Sequence, residues 1–323
     1  MIFLTGGSGL VGGALAKRLV ADGEEVAALA RSGEAAAKLE ALGARVVRGD
    51  VLDEDAMAAG MAGCSLAYHV AGINTMCPTD PAAMFHVNVR GAELAVRAAA
   101  RAGVKRVVLT SSAATLGEEH GTVGREDSPH RGHFLSVYEH TKHDGEVAAF
   151  AAARAEGIEL VAVNPSSVQG PGRTGGTGRF LLAYLKGKLP VFVETNLSLV
   201  DIDDCVEGHV LAAARGVPGE RYVISGEPKT AAEALELFSR VAGVERNPRL
   251  LPGSVAMGAA TAVEAVSKAR GRKPPVCREM IRTLLHGHRY DGSKATRDLG
   301  LRYTPLEDTL RRTIDWARAA GLV

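Results

Sequence analysis

Two rhythms of apolar and polar positions alternate along the first half of the chain. Short, nearly continuous apolar runs stand at "IFLT" (2–5), "EVAALA" (25–30), "ARVVRGD" (44–50), "CSLAYHVAG" (64–72), "KRVVLTSS" (105–112) and "GIELVAVNP" (157–165). Between them lie stretches with helical spacing, such as "LVGGALAKRLVADG" and "EAAAKLEALG", the first ending at a glycine stop. A long helix is predicted at roughly 80–101, and another begins near residue 137. Apolar runs without strict alternation are those of strands covered on both faces. Strands alternating with amphipathic helices predict an α/β fold built on a doubly wound parallel sheet.

After Pro165 the rhythm changes. "PSSVQGPGRTGGTGR" (165–179) is a Gly/Pro-rich loop, and "PVFVETNLSLVDIDD" (190–204) mixes short strands with turns. A helix (203–215), a strand "RYVISG" (221–226) and several helices follow. The expected division is a dinucleotide-binding domain at 1–165 and a smaller α/β lobe at 166–323. The lobe is expected to bind substrate and to send some segments back to the sheet. No internal repeat or low-complexity tail is present.

Composition narrows the function classes. A net charge of +1 gives no bulk electrostatic argument for nucleic acid or an anionic membrane. Aromatic residues are only 4 %, so the core must rest on Ala, Val and Leu. No apolar run is long enough to span a membrane, and "MIFLTGG" lacks the features of a signal peptide. A cytoplasmic protein is expected. Cys64, Cys77, Cys205 and Cys277 show no CxxC spacing and are expected to be four reduced thiols. His286 and His288 are close in sequence, and His130 and His133 are three apart, but neither pair has a neighbouring carboxylate or cysteine framework. No metal is expected. The charged segment 118–133 is expected to be a solvated loop over the site.

The stretch "TGGSGLVG" (5–12) sits between the first strand and the first helix. Gly6, Gly9 and Gly12, with Ser8, Leu10 and Val11 between them, permit a tight turn and close approach of backbone to a pyrophosphate at a helix N-terminus. This is the Rossmann-type dinucleotide turn. About 20 residues on, a NAD site usually places an acid for the ribose diol. Here Arg31 and Ser32 stand in that place, and Glu24 and Glu25 are at the wrong end of the strand. A guanidinium suits a 2′-phosphate, and Lys38 could add a second charge. NADP is therefore expected in preference to NAD. Asp50 could accept from the adenine amino group with Val51 packing on the ring, or it could cap the next helix in competition with Asp53. Val70, Ala71 and Gly72 end the fourth strand with small residues beside the cofactor ribose.

"VYEHTKHDGE" (137–146) places Tyr138 and Lys142 on one helical face. TGxxGxxG, Asp50, "HVAG", "TSSAAT", YxxxK and "NPSSVQGPG", in this order, resemble the extended short-chain dehydrogenase/reductases, the NAD-dependent epimerase/dehydratase superfamily. "NPSSVQGPG", "LVDIDDCVEGHVLAA" and "GERYVISGE" resemble its dihydroflavonol-reductase and 3β-hydroxysteroid-dehydrogenase-like branch, and bacterial proteins labelled hopanoid-associated sugar epimerases. The resemblance implies that Tyr138 is the general acid/base. A free phenol has a pKa near 10, about three units or roughly 4 kcal/mol too high for neutrality. The Lys142 ammonium would favour the phenolate and hold the nicotinamide ribose. Ser112 would polarise the substrate oxygen, with Ser111 the competing assignment. Asn88 matches the Asn that supports a water chain to the lysine, or else it satisfies helix backbone. Thr110, Pro165 and Val168 would line the nicotinamide end. One departure is Asn164, where many members carry Arg, and Val168-Gln169-Gly170 replaces a Tyr-Gly ending. The resemblance also implies a homodimer through the helices near 80–101 and 137–156.

The expected reaction is NADP-dependent reduction of a ketone or aldehyde by a Ser-Tyr-Lys centre. Ala113 and Ala114 follow Ser112 where 4,6-dehydratases carry Asp-Glu, which argues against dehydration. A sugar-nucleotide epimerase with retained NAD(P) is the alternative, and a non-catalytic cofactor sensor the second. Few aromatics and no dense basic cluster, Arg173, Arg179, Lys186 and Lys188 aside, favour a hydrophobic small-molecule carbonyl or alcohol.

Overall fold

The computed structural model describes all 323 residues. The first half runs β1 (Ile2–Thr5), α1 (Leu10–Ala21), β2 (Val26–Ala30), α2 (Gly33–Ala41), β3 (Arg45–Arg48), α3 (Glu54–Met61), β4 (Leu66–His69), α4 (Pro81–Phe85), α5 (Gly91–Arg101), β5 (Arg106–Thr110), α6 (Val137–Glu156) and β6 (Glu159–Pro165). The second half adds β7 (Ser167–Gln169), α7 (Gly178–Leu185), β8 (Val191–Val193), β9 (Asn196–Leu197), β10 (Leu199–Asp201), α8 (Ile202–Arg215), β11 (Arg221–Ile224), β12 (Lys229–Thr230), α9 (Ala231–Ala242), β13 (Arg249–Leu251), α10 (Gly253–Ala269), α11 (Arg278–His286) and α12 (Leu306–Ala319).

Seven strands form one sheet in the order β11-β6-β5-β4-β1-β2-β3. Every pairing in it is parallel. The order reverses at β1, so β1 and β4 part company above the phosphate turn, where doubly wound sheets open a crevice. The pleat sorts side chains by parity. Ile2 and Leu4 enter one core with Leu15, Leu39 and Val206, whereas Phe3 faces the other with Met57, Ala95 and Ala149. Phe3 and Tyr222 are fully buried, each worth about 1.5–3 kcal/mol of transfer energy. With few aromatics, alanines fill the rest, and helices pack close.

The expected helix at 80–101 is helical throughout residues 81–101 but changes its winding partway. Asp80 caps α4, a π-helical turn spans His86–Arg90, and α5 follows. The π turn sets the Asn88 carbonyl against α6, where a Cβ on Gly145 would lie 2.1 Å from that oxygen. Helix α6 starts at the Ser136 cap, whose hydroxyl accepts from Glu139 N at 3.1 Å, and stops at left-handed Gly157.

Two expectations are corrected. Cys77 and Cys277 form a disulfide across a sequence separation of 200, leaving only Cys64 and Cys205 as buried free thiols. Pairing over that distance is created by the fold and has no local spacing to announce it. Segment 118–133 is not a solvated loop throughout. Arg131 and Glu139 form a buried ion pair, Glu118 is buried, and Gly124 bridges to Tyr290. Glu126 accepts from Val223 N at 2.8 Å, and Arg221 donates to the Glu126 carbonyl, which stitches the segment to the sheet edge. No helix is long and apolar enough to cross a membrane.

Candidate active site

A cavity of about 1240 Å³ runs from the β1–α1 turn to the second lobe. Its floor is the turn itself. Gly6 is left-handed at φ +72, and a Cβ there would lie 2.5 Å from Ala71 N. A Cβ on Gly12 would lie 2.2 Å from the Gly6 carbonyl. Only glycine fits these two positions. The cap residue Gly9 offers no side chain to the first turn of α1, so its N–H groups stay free for an anion. Ser8, Leu10 and Val11 line the same floor. The turn therefore fits a pyrophosphate. Thr5 fixes it from behind, with its hydroxyl 3.0 Å from His69 Nδ1 and accepting from Ala71 N at 3.2 Å.

At the far end of β2, Arg31 is 79 % exposed and its guanidinium is 3.5 Å from Asp50. Both line the cavity with Val51. Ser32 also lines it and caps α2 through a 3.1 Å bond from Ala35 N. Lys38 is not brought there. It pairs with Glu34 at 2.8 Å on the exposed side of α2, outside the cavity wall. Asp53, not Asp50, caps α3, accepting from Ala56 N at 2.9 Å. Asp50 accepts from Leu52 N at 3.0 Å with its other oxygen turned to Arg31.

Val70, Ala71 and Gly72 line the middle of the cavity, with Thr110, Ser112, Tyr138 and Lys142 beside them and Pro165 and Val168 beyond. Ser112 ends the β5 segment and caps a 3-10 turn (Ala113–Leu116). The Tyr138 phenol faces Ser112 in the cavity wall. Burial raises the Tyr138 phenol, while the Ser112 hydroxyl and the nearby Arg173 charge draw it down. Lys142 donates to the Thr110 carbonyl at 2.7 Å and is buried. Burial lowers its ammonium to about 8, against the opposing pull of Glu146. Arg173 is thus a further cation near Tyr138, a residue expected from the sequence only as part of a possible phosphate cluster. Arg173 lines the cavity, and its buried Nε has no hydrogen-bond partner. Ser111, the competing serine, is also in the cavity wall, and its hydroxyl has no partner.

Asn88 lies behind the wall. Its side chain accepts from Ile73 N at 2.7 Å and donates to the Ile73 carbonyl and to Thr141 Oγ1, both at 3.0 Å. It anchors the loop after β4 to α6, a role that neither sequence reading described. Asn164 is the other residue whose place the sequence left open. It donates to the Ser112 carbonyl at 3.2 Å, to Thr115 at 3.0 Å and to Glu146 at 2.6 Å. The Asn that replaces Arg before Pro165 thus locks β6 to the Ser112 backbone.

The second half of the cavity is walled by Phe180, Leu189, Leu199, Met280 and Leu284, with His288 and Tyr290 at one side. The Cys77–Cys277 bond joins the loop after β4 to the start of α11 at its rim. The histidine expectation also needs correction. Glu118, distant in sequence, lies 2.6 Å from His288 and 3.5 Å from His286.

The profile described as the NAD dependent epimerase/dehydratase family matches residues 2–225. A Synechocystis protein with the provisional name dihydroflavonol 4-reductase is 31 % identical over 99 % of this chain and 95 % of its own. The sterol demethylase protein B of Methylococcus capsulatus is 30 % identical, covering 99 % of each chain. Among solved structures, gox2253 superposes with a TM-score of 0.87 at 30 % identity, over 100 % of this chain and 99 % of that one.

Proposed function

The chain belongs to the NAD-dependent epimerase/dehydratase family of extended short-chain dehydrogenase/reductases and is an NAD(P)-dependent enzyme, and from that premise we propose that it reduces a hydrophobic ketone or aldehyde with NADPH. The observation that carries this reading is the meeting of Ser112, Tyr138 and Lys142 at one end of a cavity whose other half carries Phe180, Leu189, Leu199, Met280 and Leu284 on its wall.

The glycine turn would hold the pyrophosphate, Arg31 the 2′-phosphate, Asp50 the adenine, and Lys142 the nicotinamide ribose. When bound, the cofactor supplies the hydride. Ser112 hydrogen-bonds the substrate carbonyl oxygen and fixes its direction. Tyr138 gives that oxygen its phenolic proton, and burial keeps the proton on the phenol until the oxygen becomes basic. Arg173 and Lys142 then face the phenolate left behind and lower its cost. The apolar wall excludes water from the reacting carbon.

The test is calorimetry of the purified chain with NADPH and NADH in parallel, for wild type and Arg31→Ala, followed by a carbonyl panel. Tight NADPH binding that weakens about tenfold or more in the variant supports the reading. Equal NADH affinity and no net cofactor turnover with any carbonyl overturn it. The presence of Arg173 and Arg179 on the cavity wall favours a second reading, a sugar-nucleotide epimerase that keeps its cofactor. Cofactor carried through purification and no net redox change would select that one. A homodimer through α5 and α6 belongs to either reading.

A further inference from the structure

We propose that Glu118, His286 and His288 form a site for a divalent transition-metal ion of the zinc class. The three come from places the fold alone brings together. Glu118 follows the 3-10 turn after β5, just past left-handed Gly117. His286 is the last residue of α11, and His288 follows left-handed Gly287. One ligand atom from each lies within 4.8 Å of the other two.

The geometry suits an ion better than hydrogen bonds alone. Glu118 Oε1 faces His288 Nδ1 at 2.6 Å and His286 Nε2 at 3.5 Å. Its second oxygen, Oε2, is buried without a partner, and so is His286 Nε2. Glu118 is 2 % and His286 9 % exposed, so water does not serve these atoms freely. The nearest guanidinium, Arg131, does not satisfy the carboxylate. It donates to the Glu118 backbone carbonyl at 3.2 Å and spends its other arm on Glu139. An ion placed about 2.0–2.2 Å from two imidazole nitrogens and a carboxylate oxygen would use the unpartnered atoms. It needs the Glu118–His288 contact, 2.6 Å here, to widen by about 0.7–1 Å, toward the spacing of tetrahedral ligands.

Ligand type fixes the ion class. Two imidazoles and one carboxylate suit Zn²⁺, Co²⁺ or Fe²⁺, while Mg²⁺ and Ca²⁺ prefer all-oxygen sets. Three protein ligands leave a fourth position open. His288 stacks on Tyr290 at 17°, and both line the substrate half of the cavity. The ion would therefore brace the cavity wall, tying the segment after α11 to the segment after β5. It takes no part in the hydride step.

The test uses the untagged full chain, stripped with chelator and dialysed. Titration with Co²⁺ is expected to give a visible absorption band saturating at one equivalent and displaced by Zn²⁺, with Mg²⁺ inert. At a hundredfold excess over Kd, Zn²⁺ should raise Tm by about 5 °C. Glu118→Gln and His286→Ala should each weaken Co²⁺ binding more than tenfold while NADPH binding reports that they fold. Absence of a saturable Co²⁺ band in the wild type overturns the proposal whatever the variants do. So does a band that persists unchanged in both variants, because the ion then sits elsewhere.

Discussion

Lys142 reaches across from α6 to donate to the backbone carbonyl of Thr110, 2.7 Å away at the end of β5. The ammonium is thus held by the sheet, and only its stem belongs to the helix. Burial lowers it to about 8. A lysine is charged below its pKa, so the positive form persists below about pH 8 and is lost as pH rises through that value. Carbonyl reduction should therefore fall about tenfold per unit above pH 8. Lys142→Met should lose about 10²–10⁴ in kcat and flatten this limb. A wild-type profile level from pH 7 to 9.5 would remove Lys142 from the catalytic centre.

Arg173 opposes the burial that raises Tyr138. Arg173→Leu should push the phenol further up. In the direction of alcohol oxidation, where the phenolate is the base, the alkaline midpoint should rise and the rate at pH 7 should fall. Arg173→Lys should recover part of the loss. An unmoved midpoint in the Leu variant would mean that this guanidinium acts on something other than Tyr138.

His209 is fully buried between Thr110 Oγ1 and the Cys205 carbonyl, each 2.7 Å from a ring nitrogen. Burial depresses its pKa to about 4, with the Cys205 bond opposing. Folding therefore requires the neutral ring. The unfolded chain binds a proton below about pH 6.5 that the folded one refuses, so stability is full above that pH and falls as pH drops toward 4. His209 alone should remove about 3 kcal/mol across this window. His69, depressed to about 3 by burial, adds to the loss. Urea midpoints at pH 7.5 and 5 should differ less in His209→Gln than in the wild type, and an equal difference would count against this origin.

Cys77 and Cys277 close a loop across 200 residues. In the chain-entropy account a loop of that length restrains the unfolded state by roughly 5 kcal/mol. Reduction, or Cys77→Ser, should lower the denaturant midpoint accordingly. Thiol titration of the unfolded oxidised chain should find two groups, rising to four after reduction. Four reactive thiols without reductant would show the bridge absent.

The repeating apolar runs were readable because the inner strands, such as β1 and β2, are buried on both faces, whereas the edge strand β3 is partly exposed. The glycine turn was readable because Gly6 and Gly12 have no room for a Cβ, so the motif is steric before it is chemical. Tyr138 and Lys142 stood out by helical spacing. What stayed hidden depends on contacts between distant parts of the chain. Arg173 sits in a loop whose path no periodicity describes. Glu118 and His288 are 170 positions apart. Lys38 misled because a charge at the right distance along the chain points, on α2, toward Glu34. The π turn at His86–Arg90 leaves no pattern beyond its neighbours, and Gly145 is its only echo, one helix away.

The bridge from Cys77 to Cys277 also changes what kind of object the chain is. It becomes a ring with two tails. The N-terminal tail carries β1 to β4, the glycine turn, Arg31 and Asp50, while the ring carries β5, β6 and β11 with Ser112, Tyr138 and Lys142. The seven-stranded sheet is whole only when tail meets ring, and in the sheet they meet along a single seam, β4 beside β5. The cavity, which opens where β1 and β4 diverge, crosses that seam to reach Thr110 and Ser112. A molecule lying from the glycine turn to Tyr138 is a stitch between a closed loop and a free end, so its binding measures whether the two have come together.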